Sequence, residues 1–371
     1  MAGMRIFDTF LFDGELSLLA HRLAETSDLV DVYVLVEAGE TFRGEAKRLA
    51  FAEARERFAA YATQIRHVRL PRLGSSTTDP WTREKNQRDA VTLALSDAAA
   101  DDIILILDAD EIPSRELLKN LRTEGLDRPR RLLMTRHYEA IDRLGPRSPC
   151  CRDPYAPFAF AHRRLRAGGW EDLAIDWFSR SGVAAPYRAL LPTAGDLRAG
   201  GMSVHELRRT APLAGALPDA GRHLCFVDPA AHPSLKLGRV AHDELAGKRA
   251  TSIEHLARCR RYAVHHRGWW YAEQPNGELP ADLQRLHQLL AQRHDTKRHS
   301  DPMRRMVRTW AWLRTWTVLT DDFVNSVDRH FETLAPVLAV PLLALDCVCW
   351  ALSLRTRSEH RRSPVRGDYY A

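Results

Sequence analysis

The 371-residue chain is 45% hydrophobic and 27% charged, a globular balance that excludes a disordered or fibrous protein and allows one large domain or two ordinary ones. A formal net charge of +6 favours anionic partners such as nucleotide diphosphates or a lipid surface. Much of the surplus lies late, from Arg304, Arg305 and Arg308 to Arg355, Arg357, Arg361, Arg362 and Arg366, so it is a basic tail more than a basic face, and no nucleic-acid partner is expected.

Short apolar runs alternate with helical patterns through the first third of the chain. Residues 5–7 predict a strand, and 15–25 a helix with Leu16, Leu19 and Leu23 on one face. The continuous β-branched run V-Y-V-L-V at 32–36 suits a strand covered on both sides. A helix is predicted over 50–62 and a strand over 65–70. Pro80 opens a helix expected to reach 99, with Ala90, Val91, Ala94, Leu95 and Ala98 as its apolar face. Residues 103–107 form the next strand, Ser114 caps a helix carrying Leu117, Leu118 and Leu121, and 132–138 completes the series.

This alternation predicts an α/β sandwich of parallel strands joined by right-handed crossovers, whose ligands bind at the carboxyl ends of the strands. Asp108 and Asp110 sit at such an end, as do Glu37 after V-Y-V-L-V and Asp8 after the first strand. From about 143 to 221 the pattern loosens into Pro- and Gly-rich sequence with short strand candidates such as 158–165, as expected of an acceptor-side region with long loops.

The end of the chain differs again. A Trp-rich basic segment at 307–320 precedes a hydrophobic run at 334–354, which is long enough to span a bilayer. Asp346, Pro336 and Pro341 interrupt that run, and the arginines after it would place the preceding domain outside, away from cytoplasmic nucleotides. An in-plane segment with Trp310, Trp312 and Trp316 at the interface, or a helical hairpin packed on the protein, avoids the conflict. The N-terminus has no long apolar core and meets Asp8 early, so no secretory signal is expected. The six cysteines (Cys150, Cys151, Cys225, Cys259, Cys347 and Cys349) form no C-x-x-C pair, and reduced thiols in a cytosolic setting are expected.

The chemistry centres on I-I-L-I-L-D-A-D-E-I-P at 103–113. In an extended chain residues i and i+2 face one side, so Asp108 and Asp110 can converge on one hard divalent ion, Mn²⁺ or Mg²⁺, under a diphosphate. The bland alternative is a turn that caps the next helix. A phosphatase nucleophile needs Gly-Thr or Gly-Val after its D-x-D, and here Glu111-Ile112 follows.

Four stretches in order carry a family resemblance: I-F-D-T-F-L-F-D-G-E-L-S-L-L-A-H-R at 6–22, V-L-V-E-A-G-E-T-F at 34–42, W-T-R-E-K-N-Q-R at 81–88, and 101–115 around the D-x-D. A weaker continuation is G-R-H-L-C-F at 221–226, Lys236, A-H-D-E at 241–244 and G-W-W at 268–270. With these the chain resembles glycosyltransferase family 17. The resemblance implies a GT-A-like (Rossmann-like) nucleotide-sugar-binding sandwich over 1–291, with a donor half to about 140 and an acceptor half from about 141. Residues 292–371 then form a mostly helical extension. It implies a metal-dependent inverting transferase using UDP-GlcNAc and a saccharide or glycolipid acceptor. It places Asp108 and Asp110 at the metal and diphosphate, and Arg83, Glu84, Gln87 and Arg88 on a polar helix face beside the donor, for which a solvated charged face is the alternative.

His242, after a strand predicted at 235–240, is the candidate further metal ligand, with His223 second. Glu111, Glu171, Asp172, Asp243 and Glu244 are eligible as the base; Asp243 and Glu244 rank first because they adjoin His242. Arg222 stands where the family has Trp, and Asp228-Pro229 where Gly-Gly is common, both on the acceptor side. Together these features lead us to expect a bacterial enzyme, cytoplasmic and peripheral at the inner membrane face. The competing expectation is a non-catalytic GT-A-like nucleotide- or saccharide-binding scaffold at a membrane.

Overall fold

The structure, a computed structural model, describes residues 3–138, 140–144, 182–190, 202–212, 215–228 and 272–273, with 281, 283, 284, 286 and 290. The strands predicted at 158–165 and 235–240 and the whole extension 292–371 lie outside the described residues. The chain divides into two units. The first comprises Met1–Asp142, Phe178–Lys248 and Pro275–Arg293, and the second Arg143–Trp177, Arg249–Gln274 and His294–Ala371.

In the first unit, strands β1 (Ile6–Phe12), β2 (Val32–Ala38), β3 (Ile65–Leu70) and β4 (Ile103–Asp108) are parallel, in the order β3-β2-β1-β4. Their apolar runs are uninterrupted because side chains alternate into two cores. Val32, Val34 and Val36 join Ile104 and Ile106 on one face, while Tyr33 and Leu35 join Ile103, Leu105 and Leu107 on the other. Helices α1 (Leu16–Thr26) and α4 (Arg115–Glu124) cover the second of these faces with Leu19, Leu23, Leu118 and Leu121. Ser114 caps α4 by accepting from the Leu117 amide at 3.2 Å, as its sequence predicts.

Two predicted strands are longer than the sequence suggests. Polar Asp8 and Thr9 lie inside β1, because Arg22 from α1 pairs with Asp8 and the Thr9 hydroxyl donates to the Leu105 carbonyl at 2.7 Å. Asp8 is therefore mid-strand, not at a carboxyl end. Glu37 lies inside β2, where it accepts from the Phe51 amide (3.0 Å) at the start of α2 (Ala50–Ala54) and meets His67 Nε2 at 3.1 Å.

Two predicted helices are shorter. The helix over 50–62 kinks after α2 into a 3₁₀ turn, Arg55–Tyr61, where Phe58 packs on Phe51 with ring centroids 5.7 Å apart. The helix from Pro80 ends at Asp89 (α3, Pro80–Asp89) and tightens into the 3₁₀ turn Ala90–Ala94, which draws Val91 and Leu95 into the core and leaves Leu93 outside.

Beyond β4 come β5 (Glu111–Pro113), β6 (Arg130–Tyr138), β7 (Ala140–Leu144), β8 (Val183–Pro186) and β9 (Leu217–Cys225), with α5 (Val204–Thr210) before β9. The strand expected to complete the parallel series, β6, is separated from β4 by antiparallel β8. Strand β9 runs parallel to β6 and antiparallel to β5. Leu18, Ile112, Leu224, Val227, Leu283, Leu286 and Leu290 form a third core beneath β5 and β9. In the second unit, strand β10 (Ala272–Glu273) pairs antiparallel with Arg143 and Leu144. Among the described residues no helix is long and apolar enough to cross a membrane.

The β5–β9 crossing requires a glycine. Gly221 has φ +146°, and a Cβ there would lie 2.1 Å from the Ile112 carbonyl oxygen. Gly221→Ala is expected to lower stability by at least about 2 kcal/mol, read from the urea midpoint. Arg22→Met leaves Asp8 buried without its partner and is expected to cost about 3–5 kcal/mol, whereas Asp8→Leu with Arg22→Met should recover most of that loss in the same assay.

Candidate functional site

The site lies where the sheet changes direction of winding. From β1 the chain crosses to β2 and β3 on one side, then returns to β4 on the other, and ligands of doubly wound sheets bind outside the carboxyl ends at that point. A cavity of about 320 Å³ opens there, at the low end of the range for small-molecule sites. It is lined by Leu11, Phe12 and Asp13 at the end of β1, by Glu40, Thr41 and Phe42 after β2, and by Asp108, Ala109 and Asp110 after β4. Helix α3 adds Glu84, Gln87 and Arg88, and β9 adds His223, Cys225 and Phe226.

Helix α3 carries almost no apolar residues, yet Arg83, Gln87 and Arg88 are buried, so its polar face is not a solvated one. Asp79 caps it by accepting from the Thr82 amide, with Pro80 in its first turn. The i, i+3, i+4 spacing of Glu84, Gln87 and Arg88 turns them to the cavity together. Gln87 Nε2 donates to the Val36 carbonyl at 2.9 Å. Arg88 Nη2 donates to Asp108 Oδ1 at 3.0 Å and to Glu84 at 3.2 Å. Among the described residues its buried Nη1 has no hydrogen-bond partner. Arg83 lies off the cavity, held by Glu40 and by the carbonyls of Ser75 and Thr78.

Both aspartates line the cavity, but their side chains have different partners. Strand β4 ends at Asp108 and a turn follows, so the two-residue period that would align them is broken. Both Asp108 oxygens are engaged, Oδ1 by Arg88 and Oδ2 by Arg208 Nη2 at 2.7 Å. Burial opposes ionisation of Asp108, but Arg208 and Arg88 outweigh it and hold the carboxyl well below the usual range. Glu111, fully buried, accepts from Arg208 at 2.9 and 3.0 Å and from the Asp108 amide at 3.0 Å, so it braces the turn.

Asp110 instead faces β9. Its Oδ1 lies 3.6 Å from His223 Nε2, too far for a direct hydrogen bond. Asp110, His223 and Cys225 present ligand atoms that all lie within 4.8 Å of one another. Oxygen and nitrogen ligands of one divalent ion stand about 3–3.5 Å apart, so the donor set suits a cation and the side chains would close on it by a fraction of an ångström to about 1 Å. Burial pulls the His223 imidazole down, but Cys225, Asp110 and Glu111 together raise it to about 9. Phe226, next along the chain, adopts φ +55°, a left-handed conformation that costs a non-glycine residue about 1–2 kcal/mol and places it against the cavity. Lys47 pairs with Asp13 at the opposite wall.

Of the residues picked out by sequence, Asp108, Asp110, Glu84, Gln87, Arg88 and His223 meet at this cavity. Asp8, Glu37 and Arg83 are buried elsewhere in ion pairs and caps. His242, Asp243, Glu244, Glu171 and Asp172 lie outside the described residues. The sequence reading missed Cys225, whose one signal was its place two residues after His223 on a strand. It also missed Lys47 and Arg208, which carry no local signature.

A group that could hold a cation thus stands beside buried arginines at the switch point of a parallel-rich mixed α/β sheet, where doubly wound folds place their ligands. Residues 1–138 match the family model of glycosyltransferase family 17, which supports the assignment of the chain to that family and a role in glycosyl transfer. All four of the stronger sequence blocks fall within the matched residues. A crystal structure of glucosyl-3-phosphoglycerate synthase from Mycobacterium tuberculosis in complex with Mn²⁺, uridine diphosphate and phosphoglyceric acid is similar at 19% identity and TM-score 0.30, covering 69% of this chain and 79% of that one. No curated protein matches the chain.

Arg208→Met removes the side chain that holds Glu111 and half of Asp108. It is expected to lower stability by about 3 kcal/mol or more, while Arg209→Met at the exposed neighbouring position stays within about 0.5 kcal/mol. Urea denaturation of the two variants checks the contrast.

Proposed function

We propose that the first unit is the donor-binding part of a GT-A-type, metal-dependent inverting glycosyltransferase that moves N-acetylglucosamine from UDP-GlcNAc to a saccharide or glycolipid acceptor. The observation that carries this reading is the switch-point cavity, where the Asp110, His223 and Cys225 group stands beside Arg88. A divalent cation bound there would supply charge neutralisation to a diphosphate leaving group. Arg88, with a spare buried donor, gives the diphosphate a charge-assisted hydrogen bond. Asp108 and Glu84 fix the direction of that guanidinium. Lys47 adds positive charge across the cavity, and Phe12, Phe42 and Phe226 supply apolar wall.

Glu111 is occupied by Arg208, so the proton of the acceptor hydroxyl is assigned to Asp243 or Glu244, as the sequence ranks them. The apolar run at 334–354 and the arginines that follow it support a position at the inner face of the cell membrane.

Thermal-shift titration with uridine diphosphate, with and without Mn²⁺, tests the donor site. The ion is expected to strengthen binding, Asp110→Ala to remove that gain, and Arg88→Ala to weaken binding by about 10–100-fold. Binding indifferent to the ion and to both substitutions would end this reading. Binding without turnover of any nucleotide sugar is the result expected of a non-catalytic scaffold instead.

A further inference from the structure

We propose that Cys225 is a direct ligand of the cation at this cavity, together with Asp110 and His223, and that the site therefore takes zinc or cobalt(II) in preference to magnesium. The inference rests on the cavity being a cation site, as in the function proposed above, and goes beyond it in naming the thiolate and the class of ion.

The backbone presents the three side chains in fixed positions. His223 and Cys225 are two residues apart on β9 and so point to one side, while Leu224 between them is buried in the third core. The Leu224 amide donates to the Asp110 carbonyl at 2.7 Å, and Glu111 pairs with His223 in the β5–β9 register. The D-A-D-E turn is thereby tied to the strand that carries the imidazole and the thiol. Cys225 is not in a disulfide, and its thiol stands within 4.8 Å of ligand atoms of both His223 and Asp110.

The donor set then selects the ion. Magnesium demands oxygen ligands in octahedral array, usually carboxylates, water and phosphate. Both oxygens of Asp108 are already held by Arg88 and Arg208, so the D-x-D pair offers this group one carboxylate, that of Asp110. A carboxylate with an imidazole and a thiolate is the mixture that suits a borderline-soft ion, with a further position left for a phosphate oxygen.

Cobalt(II) is the probe. The full chain, stripped with a chelator and titrated with Co²⁺, is expected to develop a thiolate-to-cobalt charge-transfer band in the near ultraviolet. The band should vanish in Cys225→Ser and persist when Cys150, Cys151, Cys259, Cys347 and Cys349 are all changed to Ser. Zinc should abolish it at stoichiometric addition, and a large excess of magnesium should not. Cys225→Ser is expected to weaken zinc binding by more than about 100-fold, beyond the loss caused by removing an outer partner of a ligand. In the unsubstituted chain, zinc should protect Cys225 from iodoacetamide and magnesium should not, a readout that does not depend on the variant folding. Cobalt binding without the band, a band unchanged in Cys225→Ser, or equal alkylation with and without zinc overturns the proposal. Magnesium-supported uridine diphosphate binding in a chain without the band would remove Cys225 and leave the donor site standing. A Cys225-dependent band in a chain that binds no nucleotide supports the ligand and removes the donor site.

Discussion

Arg22 holds together the parts of this protein on which the site depends. It reaches from α1 into the sheet, fully buried, and its Nη1 donates to both oxygens of Asp8 at 2.7 and 2.8 Å. Its Nη2 donates to the carbonyls of Asp108 and Glu111, and its guanidinium lies 4.3 Å from the Phe10 ring centroid. Desolvating two charges costs more than their attraction usually returns, and burial raises the Asp8 carboxyl above its ordinary value even against Arg22. The contribution of the pair is therefore positional. One guanidinium links the middle of β1 to both ends of the D-A-D-E turn, so the turn inherits the rigidity of the sheet.

On that fixed turn the two aspartates take different work. Asp108 is neutralised by Arg88 and Arg208 and serves to aim Arg88, while Asp110 is turned across to His223 and Cys225. Glu111, next after Asp110, is drawn inward by Arg208, which stops it from competing as a third carboxylate. The cavity of about 320 Å³ thus has Asp110, His223 and Cys225 on one wall and Glu84 with Arg88 on another.

Much of the scaffold was legible because its signals are local. The runs at 32–36 and 103–107 have no polar residue, so only strands covered on both sides could bury them. Ser114 before Leu117, Leu118 and Leu121 marked the α4 start from capping chemistry alone. Boundaries failed where a distant partner changed the local rule. β1 runs on through Asp8 because Arg22 neutralises it, and β2 through Glu37 because α2 presents its amides there. α3 ends at Asp89 because Val91 and Leu95 are pulled into the core.

The sequence by itself determined the parallel-rich α/β core, the strand end that carries the D-x-D, and the helix face of Glu84, Gln87 and Arg88, since apolar period and charge placement are written within a few residues. Tertiary structure alone decided which aspartate meets His223 and Cys225 and which meets the arginines. That choice depends on Arg208, more than ninety residues beyond the D-x-D, and on the register of β5 against β9, set by the close approach at Gly221. Pairing between distant segments leaves no periodic trace in either one, so only the folded chain could reveal Cys225 beside Asp110.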